Sequence, residues 1–201
     1  MELIVLSNPE AIANEAKIIN QLFEAGMTRF HLRKPGWSGH QCLDLLRAID
    51  PAFHPHIALH QHHFIADKTN IKRLHYPAKH RLDSSEAEII KLKKDGFTCS
   101  TAMHELTALP HLTAFDYVFF SPVFDSISKP GYESKLAKGF VLQKVNAQPA
   151  VIALGGVDAQ NIRQIRLMQF DGAAVLGTIW KQPEQAVTNF KNLNKIINFR
   201  K

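Results

Sequence analysis

An α/β fold, with one parallel sheet closed into a single compact (β/α)8 barrel over residues 1–201, is what this sequence predicts. Three observations predict it. Apolar runs recur along the chain, and each ends in a polar or glycine-rich patch. They read LIVLSNP from Leu3, FHLRK from Phe30, HIALHQ from His56, DYVFFSP from Asp116, AVIALGG from Ala150 and DGAAVLG from Asp171. Helical patterns lie between them, which is how parallel-sheet proteins are written. The number of such units comes to eight once two weaker strands are included.

Leu3 to Leu6 reads as the first strand. Asn8 can cap a helix with Pro9 at its first position and Glu10 in its first turn. Ile12, Ala16, Ile19, Leu22 and Phe23 recur at helical spacing, and Gly26 closes that helix. Phe30 to Leu32 is the second strand, followed by a helix capped by Ser38 and interrupted by Pro51 and Pro55. Ile57 to Leu59 is the third strand, with a weak helical stretch at Phe64 to Thr69. Ile71 to His75 is a short fourth strand. Asp83, Ser84 or Ser85 then caps the helix SEAEIIKLKK, whose terminal lysines suit the helix dipole.

Phe97 to Ser100 is the fifth strand, with a short helix at Glu105 to Leu109, and Tyr117 to Phe120 is the sixth. Ser121 to Gly139 is too long and too polar for an ordinary connection, and such loops are usually lids or ligand loops. A helix over Phe140 to Lys144 leads to the seventh strand, Val151 to Leu154. Asn161 to Phe170 is the next helix, Ala173 to Leu176 the eighth strand, and Pro183 to Ile197 the closing helix. A TIM barrel typically needs about 250 residues, so this chain is near the floor. An open doubly wound sheet is the rival fold, but SNPEAIA lacks the GxGxxG fingerprint of a dinucleotide site.

The 24 basic and 18 acidic residues leave a net charge of +6, which suits an anionic partner. No aromatic-and-basic module and no convincing basic recognition helix accompany that charge, so a nucleic acid is not expected. No run of about 18 apolar residues is present, so no membrane partner is expected either. The chain starts at once on a strand pattern without a basic leader, and Cys42 and Cys99 read as two buried thiols; a cytoplasmic location is expected.

Ligand chemistry in such sheets gathers at the C-terminal strand ends. Gly155 and Gly156 follow the seventh strand and Gly177 follows the eighth, where loops of many barrels build a phosphate cup from free backbone amides. Arg33 stands one residue past the second strand, and its fork suits a diphosphate or a carboxylate. Lys129 lies in the hydroxyl-rich DSISK, where Ser126 and Ser128 can donate to a phosphate. His31, His60, His62 and His75 sit at or near strand ends, and His80 follows. His31 shares strand parity with Arg33 and is the first candidate for moving a proton. A zinc site built from His60, His62, His75 and His80 has no regular ligand spacing behind it.

Together, FHLRK, DYVFFSPVFDSISK at Asp116 to Lys129, VIALGGVDAQNI at Val151 to Ile162 and DGAAVLGTI at Asp171 to Ile179 make the chain resemble the thiamine phosphate synthase and TenI-like thiazole tautomerase superfamily. The resemblance covers almost the whole chain and implies the compact barrel. It also implies a phosphorylated thiazole or pyrimidine as partner; a homodimer is left open. The synthase of this family joins an aminopyrimidine-methyl diphosphate to a hydroxyethylthiazole phosphate, releasing diphosphate with the help of magnesium. The tautomerase isomerises a carboxylated thiazole phosphate without a metal.

Carried onto this sequence, the family's strand-2 glutamine falls on His31 and its arginine on Arg33. Its lysine falls on Pro35, with Lys34 one residue early as a substitute. Its strand-5 serine falls on Ser100, its hydroxyl pair and lysine after strand 6 on Ser126, Ser128 and Lys129, its phosphate glycine on Gly156, and its last backbone pair on Leu176 and Gly177. The chain also departs from the pattern. His60-Gln61 replaces an Asn-Asp pair whose aspartate holds the metal, and His80 stands at the second metal aspartate. Pro122 occupies the place of the tautomerase's shuttle histidine.

The resemblance thus implies a synthase-like transferase of thiamine biosynthesis. Its alternatives are a TenI-like tautomerase and a member that only binds a phosphorylated ligand. His31, Arg33 and Lys129 are the expected catalytic groups. No residue is assigned to a metal, and no cofactor is expected beyond magnesium in the synthase case, whose carboxylates look replaced.

Overall fold

The computed structural model describes residues 1–125, 134, 136–145 and 148–199. Eight parallel strands close into one barrel in sequence order: β1 (Glu2–Leu6), β2 (Phe30–Leu32), β3 (Ile57–Leu59), β4 (Arg73–Tyr76), β5 (Thr98–Met103), β6 (Tyr117–Phe120), β7 (Ala150–Leu154) and β8 (Gly172–Val175). β1 completes the ring by pairing β8 from Glu2↔Gly172 to Val5↔Val175. The predicted fold class is the observed one. β4 begins two residues later than expected, and β5 runs on to Met103.

Alternation along the strands separates two interiors. Outward residues such as Leu3, Val5, Phe30, Leu32, Val118 and Phe120 pack in the large core that the surrounding helices cover. The inward set is small: Ile4, Leu6, Tyr117, Phe119, Ile152 and Ala174 form an apolar cluster contributed by β1, β6, β7 and β8. The inner face of β2 to β5 is polar instead, with His31, His75 and Ser100 all buried.

The surrounding helices are α1 (Glu15–Glu24), α2 (Gly39–Arg47), α3 (Glu86–Lys94), α4 (Ile162–Leu167), α5 (Gly177–Trp180) and α6 (Ala186–Asn198). Ser38 and Ser85 start α2 and α3 with complete capping boxes, closed by Gln41 and Glu88. The expected helices at Phe64 to Thr69 and Glu105 to Leu109 are single 3-10 stretches, His63–Lys68 and Leu106–His111. Phe140 to Lys144 forms no helix. Only Leu142 is buried in that run, and its N–H donates to the Met168 carbonyl at 2.9 Å, so it is tied to α4 as an extended strap. Both cysteines are buried and free. Among the described residues no helix is long and apolar enough to cross a membrane.

The start of α1 also differs from the expected cap at Asn8. The helix begins six residues later than Pro9, at Glu15, because Lys34 competes for the backbone that an earlier start would use. Its Nζ donates to the Glu10 carbonyl at 2.9 Å and to Glu15 Oε2 at 2.6 Å, and lies 4.6 Å from the Trp37 ring centroid. Helix from Pro9 onward would place the Glu10 carbonyl in an intrahelical bond. Lys34 is wholly buried and Glu15 is 4 % exposed. Burial pushes the Glu15 carboxyl above its usual range, and Lys34 opposes that shift. Breaking such a pair leaves a charge without compensation. Glu15→Ala should therefore lower stability by about 3–5 kcal/mol, measured by urea unfolding, while replacing Glu15 and Lys34 together with Leu and Met should restore most of it.

Candidate functional site

A cavity of about 580 Å³ opens over the C-terminal strand ends. Arg33 enters its wall from just past β2, His60 from just past β3, His75 from β4, and Lys181 from the residue that follows α5. Leu6, Phe119, Leu154 and Ala174 make its apolar part. Ser7 locks Arg33 in place: its Oγ accepts from the Arg33 N–H at 2.8 Å and donates to the Arg33 carbonyl at 2.9 Å.

The far wall is built from Gly155, Gly156, Leu176, Gly177 and Thr178. Two of these glycines answer a packing demand. The loop after β6 crosses over them, with the Val123 N–H on the Leu154 carbonyl at 3.0 Å and the Phe124 N–H on the Gly155 carbonyl at 3.1 Å. A Cβ on Gly156 would lie 2.4 Å from the Asp125 carbonyl oxygen, and φ is +66° there. No side chain fits that site. Thr178 Oγ donates to the Val157 carbonyl at 2.6 Å and so holds the two glycine-bearing loops together.

Beneath the cavity the polar inner face forms a hydrogen-bonded chain. His31 Nε2 meets the Tyr117 hydroxyl at 2.7 Å, and His31 Nδ1 meets His60 Nε2 at 2.8 Å. His75 Nδ1 meets Ser100 Oγ at 2.9 Å, and the His60 and His75 rings stack with centroids 3.9 Å apart. His63 Nε2 reaches the carbonyls of Leu59 and His75, clipping β3 to β4. Relative exposure is 0 % for His31, 7 % for His60 and 2 % for His75. Burial is the first cause of low basicity in all three, and neighbouring positive charge is the second. His31 and His60 are held well below the usual imidazole value, and His75 is lowered to about 3. All three are neutral at pH 7.

Of the residues singled out from sequence, Arg33, His60, Gly155, Gly156, Leu176 and Gly177 line the one cavity. His31 and Ser100 lie just below it, bonded to Tyr117, His60 and His75. Lys34 is not brought there; its ammonium is spent on Glu10 and Glu15. Ser126, Ser128 and Lys129 fall outside the described residues. Sequence reasoning missed Lys181, His104 and Tyr117 as site residues.

The expectation that no residue serves a metal is overturned. His31, His60 and His75 bring one ring nitrogen each to within 4.8 Å of one another, an arrangement compatible with a metal site. The four-histidine set considered from sequence is not what assembles. His62 Nε2 bonds the Trp37 carbonyl, and His80 is exposed beside Asp83. Position in the sheet explains the difference: His31 and His75 lie on β2 and β4 and His60 directly follows β3, whereas His62, at φ +55°, and His80 have already left the strands. The magnesium implied by the synthase resemblance does not fit this donor set, since that ion wants oxygen ligands.

A family model described as thiamine monophosphate synthase matches residues 3–179. The chain belongs to that family. Thiamine-phosphate synthase of Staphylococcus haemolyticus is 26% identical over 191 residues, spanning 89% of this chain and 88% of its own. A thiamine phosphate pyrophosphorylase structure from Bacteroides thetaiotaomicron superposes with a TM-score of 0.76 at 27% identity, covering 100% of both chains. The Pyrococcus furiosus pyrophosphorylase shares the fold, with a TM-score of 0.77 at 15% identity, 98% of this chain and 95% of its own.

The buried histidines make stability sensitive to acid. Their folded values lie below the unfolded value near 6.5, so the unfolded chain binds more protons as pH falls. Their stabilising contribution is complete above that value and declines as pH drops toward about 3 for His75. His75 alone should cost about 1.4 kcal/mol per pH unit in that window, and His31 and His60 add losses of the same sign. Urea midpoints measured in chelator should fall steeply below pH 6 in wild type and more gently in His75→Gln.

Proposed function

We propose that this family member is a thiamine phosphate synthase-type transferase. It would join an aminopyrimidine-methyl diphosphate to a thiazole phosphate. The observation that carries the reading is the cavity wall: Arg33 and Lys181 place two basic side chains around a partly apolar space, beside the loop backbone of Gly156 and Gly177. Such a site offers an apolar surface for flat rings and positive charge for two phosphorylated groups. The likeness to synthases over most of the chain supports the same reading.

In that reaction the thiazole nitrogen attacks the methylene carbon, a carbon–nitrogen bond forms, the carbon–oxygen bond breaks, and diphosphate leaves with the electron pair. No net proton moves. The thiazole phosphate would rest on the loop amides near Gly156 and Gly177. Arg33 and Lys181 would stabilise the charge that grows on the leaving diphosphate. Lys129, Ser126 and Ser128 belong to the same proposal as groups that would close on the diphosphate.

One observation favours a second reading, a TenI-like isomerase. The Tyr117–His31–His60 chain links a buried hydroxyl to the cavity wall through two neutral imidazoles, which can hand a proton along it. The two readings part at His31. His31→Gln should leave transfer within about threefold but cost an isomerase at least a hundredfold, about 2.7 kcal/mol, in kcat.

Chromatographic detection of thiamine phosphate from the two substrates tests the first reading. Arg33→Ala and Lys181→Ala should each lower kcat/KM by roughly ten- to a hundredfold, about 1.4–2.7 kcal/mol, because both side chains are exposed and their charge is screened. Gly177→Ile should raise the dissociation constant for thiazole phosphate with an unchanged melting temperature. Wild-type protein that forms no product, yet isomerises a carboxylated thiazole phosphate, would reverse the order of the two readings.

A further inference from the structure

The polar half of the barrel interior holds more than a proton path. His31 sits on β2, His60 directly follows β3, and His75 sits on β4, so three neighbouring strands each send one imidazole inward. The register makes the three meet: Ala58 pairs with both His31 and Arg73, which places His60 and His75 two residues further along, at one level above them. Their ligand atoms lie within 4.8 Å of one another. Three imidazoles around a four-coordinate zinc, at about 2.0–2.1 Å each, need nitrogens roughly 3.4 Å apart. Binding therefore needs the imidazoles to rotate, with the 2.8 Å contact between His31 and His60 opening to admit the ion.

We infer that His31, His60 and His75 form a binding site for a zinc-class divalent ion whose fourth position opens into the cavity and takes an anionic oxygen.

The outer contacts suit the role. A metal-binding imidazole commonly has its second nitrogen held by a neighbour, which fixes the ring. Here Tyr117 holds Nε2 of His31, leaving Nδ1 on the His60 side, and Ser100 holds Nδ1 of His75. The His63 clip fixes the backbone under His75. The rings are already neutral near pH 7, so little proton release opposes binding. The ion displaces the hydrogen bond between His31 and His60.

The donor chemistry selects the ion. Imidazole nitrogen suits zinc and its transition-metal neighbours, while magnesium prefers carboxylate, carbonyl and water oxygens. Selectivity for the fourth ligand follows from charge. Three neutral imidazoles leave the ion its full double charge, and Arg29, Arg33 and Arg73 add positive field to the histidines. A negative oxygen satisfies both. His60 and His75 line the cavity, so that oxygen arrives from its side. The site holds independently of the transferase reading, because metal binding needs neither substrate nor turnover.

The test is a cobalt(II) titration of chelator-stripped protein, read by visible absorption. One equivalent should give the intense bands of a four-coordinate ion, and zinc should bleach them. His60→Ala and His75→Ala should each weaken cobalt binding more than tenfold, while His62→Gln and His80→Gln leave it unchanged. Ser100→Ala keeps all three ligands and should weaken binding by roughly ten- to a hundredfold. Inorganic phosphate should shift the bands of the wild-type complex. If the histidine variants fail to fold, zinc added to the wild type should move the NMR signals of these three imidazoles and leave those of the other eight of its 11 histidines in place. Failure to bind one equivalent, unchanged affinity in both alanine variants, or shifts centred on other histidines would overturn the site. Bands indifferent to phosphate would overturn its open position.

Discussion

The structure depends on how eight very short strands fill the inside of their own barrel. β2 and β3 have three residues each, so every inward position counts. The four strands β1, β6, β7 and β8 fill their share with aliphatic and aromatic side chains. The other four bring in imidazoles and a hydroxyl, and water does not reach His31 or Ser100. Buried polar atoms of this kind must be paired or they destabilise the fold. The bonds among Tyr117, His31, His60, His75 and Ser100 meet much of that requirement from within the barrel, and His60 and His75 also face the cavity. The polar interior therefore contributes to the cohesion of the sheet and to the reactive floor of the cavity at once.

A second constraint acts at the rim. The loops that carry the cavity wall are tied to each other as well as to the helices that follow them. Arg33 is held by Ser7 of the preceding loop, Gly156 lies under the loop after β6, and Thr178 anchors on Val157. Trp180 Nε1 reaches across to the Leu6 carbonyl at 2.6 Å. Positions fixed this way do not need long helices behind them. That is consistent with α4 and α5 having only six and four residues, and with several connections being single 3-10 stretches.

Much of this was legible in the sequence, for identifiable reasons. The strands were visible because burial on both faces writes continuous apolar runs. Ser38 was visible as a cap, and Ser85 as one of three candidates with Asp83 and Ser84, because capping is local chemistry that tertiary contacts seldom override. The start of α1 was hidden because it is set by Lys34, which lies 19 residues beyond Glu15 in the chain. The same contact removed Lys34 from the cavity, so one long-range ion pair accounts for two departures. The histidine cluster was half legible. Each member was recognised as a strand-end imidazole, yet spacing along the chain says nothing about three side chains whose nearness comes from sheet register. Lys181 was missed because a single lysine after a short helix carries no pattern. Gly156 was recognised, but backbone crossing adds a reason for it that no one-dimensional pattern could supply.

The pairing of β1 with β8 sets a schedule for biosynthesis. The first strand made waits for the last one, with 165 residues between Leu6 and Gly172, before its free edge is covered. Until then an emerging chain shows the ribosome-proximal environment an open parallel sheet, the arrangement most prone to sticking to other chains. The apolar inner cluster cannot assemble early, because β6, β7 and β8 supply most of it. What the nascent chain can assemble first is the β2–β5 arc, whose inner face is imidazole and hydroxyl and tolerates water. Apart from β1, whose Ile4 and Leu6 are made first, the greasy half of the barrel is made last, so most of that surface appears when closure is available.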